Sequence, residues 1–167
     1  DLALDVPAPV PGGDDETRLV LGARALGKVP GLRFARVLGS GRDGGFGLAP
    51  GFDHQGLICF FDGEDSARAF ASDAPVIRAY RDHARESLCA LLRASSCRGS
   101  WGGATLAVTA PPQTDAPMAA LTRASIRLRH AARFWRHAPT THDGIARAKG
   151  CRLAVGLGEA PLLRQAT

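Results

Sequence analysis

Five histidines, four cysteines and a band of arginines are the side chains with which this chain can do chemistry. The histidines are His54, His83, His130, His137 and His142. A neutral imidazole ligates a metal or moves a proton near neutrality, whereas a cysteine reacts or ligates as its thiolate. Cys59, Cys89, Cys97 and Cys151 form no CxxC pair, and HxxxH and HExxH spacings are absent, so a zinc hydrolase has no support. Arg123, Arg127 and Arg129 fall on one side of an alternating segment, with Arg133 and Arg136 just beyond. Guanidinium forks in such a cluster suit carboxylates, and the same cluster also reads as a solvated sheet face. The glycine-dense stretch from Gly39 to Gly47 lacks GxxxxGK[ST] and follows a strand without opening a helix. It reads as a flexible connection or a pocket lid, and not as a phosphate loop.

The 167 residues leave room for one domain, or for two small ones sharing a core. Hydrophobic residues make up 45% and charged residues 22%, a balance that excludes a mostly disordered chain. No apolar run approaches the roughly 18–20 residues of a membrane span, and the N-terminus shows no signal-peptide pattern. Scattered cysteines in apolar company read as reduced residues, which predicts a cytoplasmic protein. The formal charge of +5 allows contact with an anionic cofactor, a membrane surface or a nucleic acid and selects none of them.

Elements must position these groups. Asp14 to Thr17 opens a helix that ends before Pro30, and Leu32–Leu38 and Gln55–Phe61 read as strands. A first strand before Pro7 is weakly signalled, given Asp1, Asp5 and the prolines that follow. From Glu64 a long helix is predicted, with Phe70, Ile77, Tyr80, Ala84, Leu88 and Leu91 on one stripe and a break at Pro75. Ala104–Thr109 reads as a closing strand and Pro111–Pro117 as a linker. The alternation from Ala120 to Leu128 predicts a half-buried strand with its arginines outward. Ala131–Arg136 should be helical, interrupted at Pro139 and resumed from Thr140-Thr141 to Lys149, with Gly150 ending it.

An internal repeat organises these pieces. Gly31–Gly39 lies over Gly150–Gly158 at an offset of 119, with Gly31/Gly150, Arg33/Arg152, Ala35/Ala154, Leu38/Leu157 and Gly39/Gly158 identical. The first copy runs strand, helix, strand, strand, helix, strand, the order of a ferredoxin-like (split βαβ) α+β sandwich. The expected fold is therefore that sandwich, duplicated, with the second copy incomplete. Residues 1–110 form the first repeat, 111–118 the linker, and 119–167 a partial second repeat packed on the first. An uncovered strand edge then predicts a homodimer or a missing C-terminal portion.

Several runs carry a resemblance. Leu38-Gly-Ser-Gly41 with Gly44-Gly-Phe46, Ala74–Tyr80, Ser100-Trp-Gly-Gly103, Leu121–His130 continuing through Arg133-Phe-Trp-Arg136, Gly156-Leu-Gly-Glu159 and Arg164–Thr167 resemble landmarks of the spheroidene monooxygenase family. That resemblance implies a dimeric α+β barrel type of monooxygenase. It would oxidise a small hydrophobic substrate with O2, a carotenoid in the named members, with haem (iron) as cofactor and an electron donor as a further partner. Haem needs an axial ligand, apolar walls and cations for its propionates. His83, with Tyr80 one turn before it, and His130 are the candidate iron ligands. His130 and Arg123 are the candidate catalytic groups, Arg127 and Arg129 the candidate propionate clamp, and Trp135 a candidate cofactor wall. Each also has a plain reading: Tyr80 and Trp135 as core, His83 as a solvated helix residue, His130 as a helix cap. Two other functions stay open, a cofactor-free monooxygenase on the same scaffold and a basic RNA-binding module. The second is disfavoured by the lack of an RNP1-like aromatic pattern.

Overall fold

The computed structural model describes residues 2–5, 26, 29–41, 50–108, 111 and 115–159. Four strands and two helices build its centre: β1 (Leu2–Asp5), β2 (Leu32–Gly41), β3 (Pro50–Phe61), α1 (Glu64–Asp73), α2 (Pro75–His83) and β4 (Cys89–Leu92). A single 3-10 turn (Leu128–His130), the helix α3 (Ala131–Ala146) and the short strand β5 (Gly158–Glu159) follow. The sheet order is β4-β1-β3-β2-β5, with every pairing antiparallel. Its first four strands have the order of the split βαβ sandwich expected from the sequence, and the fold is α+β. The helix expected between Asp14 and Pro30 and most of the Gly39–Gly47 stretch lie outside the described residues.

Alternation along β2 and β3 gives the sheet two apolar faces. Register sets Phe34 opposite Phe60 and Arg36 opposite Ile58 on one face, and Ala35 opposite Cys59 and Val37 opposite Leu57 on the other. The second set meets the helices: Leu57, Cys59 and Phe61 are buried with Leu26, Ala67, Phe70 and Ile77, and Tyr80 and Leu91 pack against them. Buried Ala67, Phe70 and Ala71 repeat at helical spacing, which is why α1 lies on this face. The other set is closed without a helix. Phe34, Leu38, Ile58 and Phe60 are buried with Trp101, against which Ala104, Leu106 and Leu157 pack.

Trp101 is delivered by a two-residue turn. Trp101 and Ala104 exchange backbone hydrogen bonds of 2.8 and 3.0 Å, and between them Gly102 (φ 57°) and Gly103 (φ 81°) take left-handed conformations that favour glycine. The indole stands 5.4 Å from the Phe34 ring, which itself stacks on Phe60 at 4.9 Å.

The structure corrects four expectations. The helix broken at Pro75 ends at His83, and the residues expected to continue its stripe to Leu91 belong instead to an extended segment and β4. A short apolar run such as Leu88–Leu92 fits either period, and pairing with β1 decides it as strand. The weakly signalled first strand is β1, a central strand paired on both sides. With that position filled by β4, residues 105–108 form no closing strand. Residues 117–127 take no regular structure, and Leu121 on the supposedly buried side is 50% exposed. Alternation makes a strand only where an edge is at hand to pair with it. Finally, α3 runs through Pro139 without interruption, and Thr141 Oγ1 donates back to the His137 carbonyl at 3.1 Å instead of capping a new helix.

Candidate functional site

Two adjoining features hold most of the chemistry-bearing side chains. The first is a three-residue knot over the helix-free face of the sheet. Trp101 Nε1 donates to Glu159 Oε1 at 2.5 Å, and Arg123 Nε donates to the same oxygen at 3.3 Å. The Arg123 guanidinium also lies over the Trp101 ring, 5.3 Å from its centroid. Backbone pairing of Glu159 with Leu38 brings this carboxylate to the sheet, so β5 pins the knot to β2. One carboxylate thereby satisfies an indole and a guanidinium, and both side chains are held in place.

The second feature starts one residue after Arg123. A cleft of about 360 Å³ is lined by Ala124, Ser125, Ile126, Arg127, His130 and Phe134. Its one wall is the irregular segment tied down by Arg123, and its other is the first turn of α3. His130 caps that helix without a side-chain hydrogen bond to it. Its Nε2 instead accepts from Arg129 Nε at 3.1 Å. Phe134 meets Trp135 edge-on at 5.2 Å, and both are half-buried. The cleft therefore combines an apolar wall, an imidazole and a guanidinium.

The candidates from the sequence divide accordingly. His130 and Arg127 share the cleft, Arg123 and Arg129 hold its margins, and Trp135 supports Phe134 from behind. His83 and Tyr80 are not among its walls. Tyr80 packs into the core between α2 and the sheet, and His83 is exposed at the end of α2, with Nδ1 2.7 Å from the Ala79 carbonyl. Among the described residues no group of three or more His, Cys, Asp or Glu side chains could hold a metal ion. Cys59 is buried, and burial pushes its thiol up to about 12, so it is an inert core residue.

Sequence reasoning met Trp101 and Glu159 only within runs that resemble the family and gave neither a site role. Their partnership spans 58 positions, and the one local sign of it was the Gly-Gly turn that presents the indole. His54 is a further residue to which no role was given. His54 is in β3, where three residues bulge out of the pairing with β2, and its Nδ1 and the Ser40 Oγ are buried without a partner among the described residues.

Comparison with known proteins adds to this geometry. The chain is 53% identical over 143 residues to a spheroidene monooxygenase of Rubrivivax gelatinosus, a match covering 86% of this chain and 56% of that protein. It is 33% identical over 154 residues to the spheroidene monooxygenase of Rhodobacter capsulatus, covering 90% of this chain and 64% of that protein. The one of Cereibacter sphaeroides is 32% identical over 159 residues, covering 91% and 49%. The chain thus spans about half to two thirds of the length of these relatives. No protein-family profile matches it. Among solved structures, a dimeric ferredoxin-like protein of unknown function from Jannaschia sp. CCS1 is 21% identical with a TM-score of 0.36, over 53% of this chain and 94% of that one.

Proposed function

We propose that this chain, a relative of the spheroidene monooxygenases over 86% of its length, takes part in the oxygen-dependent oxidation of a carotenoid. The observation that carries the reading is the cleft itself, which gathers His130, Arg127 and Phe134 from the stretch that most resembles that family. Monooxygenation places one atom of O2 in the substrate and reduces the other to water. The reaction therefore draws two electrons from an external donor. A hydrophobic polyene needs an apolar wall, and Ile126 and Phe134 provide one.

The residues present suit haem. One imidazole, one guanidinium and an aromatic wall are the donor, the propionate partner and the apolar contact that such a group requires. Haem bound there would supply the activation of oxygen. His130 would be the imidazole ligand to such a group, its Nε2 being freed from the Arg129 N–H. Arg127 would pair with a propionate, and Phe134 and Ile126 would give the group its apolar contact. The outer edge of β4, at the end of the sheet order, suits pairing with a second copy.

The test is a visible absorption spectrum of the purified protein with and without haemin, alongside oxygen-dependent conversion of spheroidene. The expected result is a sharp Soret band that is lost in His130→Ala and kept in His83→Ala. Loss in His83→Ala alone would move the ligand to α2. A spectrum unchanged by haemin, with conversion retained, would replace the haem reading with a cofactor-free oxygenase. Absence of conversion by a haem-loaded protein supplied with reductant would overturn the oxygenase reading.

A further inference from the structure

The positive charge of this molecule is concentrated in one place. Met118 to Lys149 carries seven Arg and Lys residues against a single acid, Asp143, whereas the rest of the chain has fourteen basic and fifteen acidic residues. The structure orders that charge on α3. Its half-buried or buried residues are Ala131, Phe134, Trp135, Ala138 and His142, which share one side of a 3.6-residue period. Arg133, Arg136, His137 and Thr140 occupy the opposite side and are exposed, and Arg129 and Arg147 extend it at either end. Arg147 faces Asp143 at 4.0 Å, so the acid falls at the far end of the stripe and leaves the first two turns purely basic.

Apolar side chains flank this charge. Met118 is 78% exposed and Leu121 50% exposed, on the irregular segment that leads into α3. Exposed large apolar groups on the segment leading into a basic helix combine the two kinds of contact that a charged, apolar-backed surface offers. Phosphates at the rim of an acyl layer match both parts. Arginines take the headgroups while Met118 and Leu121 enter the acyl boundary. A single-stranded nucleic acid would match the charge, but the two aromatics here, Phe134 and Trp135, are half-buried on the side of α3 opposite the arginines, so the basic face itself carries no ring for a base to stack on.

We propose that the exposed face of α3 and the preceding segment dock on an anionic lipid bilayer. This inference rests on the carotenoid reading above and extends it. Arg127 and His130 belong both to the basic stretch and to the cleft, which ties the proposed docking surface to the site.

Flotation of the purified protein with vesicles tests the docking without any turnover. The protein should float with phosphatidylglycerol vesicles, stay behind with phosphatidylcholine vesicles, and be released by about 0.5 M salt, since exposed charges are then screened within roughly 4 Å. The double variant Arg133→Glu/Arg136→Glu, which leaves the cleft residues untouched, should lose at least about tenfold in partitioning, given roughly one kcal/mol per basic residue at such a surface. Met118→Ser/Leu121→Ser should weaken binding at all salt concentrations. Binding that ignores lipid charge, binding unaffected by both double variants, or salt-sensitive binding to poly-uridine in place of vesicles would each overturn the proposal. Conversion of detergent-dispersed spheroidene separates the two readings: activity kept without vesicle binding sinks the docking alone, and vesicle binding without activity sinks the oxygenase alone.

Discussion

Gly31 shows how much one residue can decide. It holds φ at 72°, its carbonyl accepts from the Asp62 amide at 2.9 Å, and it starts β2 where Arg33 pairs with Asp62. A β-carbon there would stand 2.6 Å from Ser66 Oγ and 2.8 Å from its Cβ. Gly31→Ala should therefore cost about 2 kcal/mol, from the left-handed backbone together with the displaced helix start, and urea denaturation will measure it. Trp101 and Glu159 make the complementary point, because neither is special by type. The indole, the guanidinium of Arg123 and the carboxylate become a unit through a bond 58 positions apart. No spacing rule reaches that far, whereas Gly102-Gly103 could be read as a turn from the dipeptide alone.

At the scale of elements, local chemistry explains where helices break and tertiary pairing explains where strands lie. Pro75 divides the helical stretch as its missing N–H and fixed φ require, with Ala74 extended at φ −60° and ψ 133° between α1 and α2. Pro139 has the same chemistry and a different outcome. It is exposed within α3, and the half-buried or buried side chains Phe134, Trp135, Ala138 and His142 run along the helix on both sides of it. Pro139→Ala should then restore the hydrogen bond to the Trp135 carbonyl and raise the stability by about 1–3 kcal/mol, read from the thermal midpoint and the helical circular dichroism. β4 is held by more than its pairing with β1. Arg93, just past its end, and Arg68 both bind Glu64 in the first turn of α1, and they hold that carboxyl below its usual range. The repeat illustrates the limit of the same logic. Gly31 and Gly150 both take a left-handed φ, at 72° and 89°, yet only the first leads into a long strand. Residues 151–157 meet no strand to pair with, and β5 is confined to the two residues that reach β2.

For the whole molecule, the consequence is a sheet covered by two different means. Helices close the face of Leu57, Cys59 and Phe61, whereas a turn, an indole and a loop close the face of Phe34, Ile58 and Phe60. The second cover is narrow, and Trp101 is its centre. Trp101→Ala should destabilise the protein by about 3–5 kcal/mol in urea titrations, by opening a cavity and by leaving Glu159 without its indole partner. The same variant should bind a hydrophobic dye such as ANS under native conditions, because Phe34 and Phe60 lose their lid. It should also loosen the cleft, since Arg123 is anchored to the same carboxylate one residue before Ala124.

The sequence by itself determined the α+β class, the β2 and β3 strands, the break at Pro75, and a candidate list that includes both His130 and Arg127. These follow from periodicity, from proline stereochemistry and from residue types, which act over a few positions. Only the tertiary structure decided that Cys89–Leu92 pairs as an edge strand, that Ala120–Leu128 does not pair, and that His130 and Arg127 share a cleft from which Tyr80 and His83 are absent. Strand pairing needs a free backbone edge, and a cleft needs two walls, and each partner is supplied by a distant part of the chain.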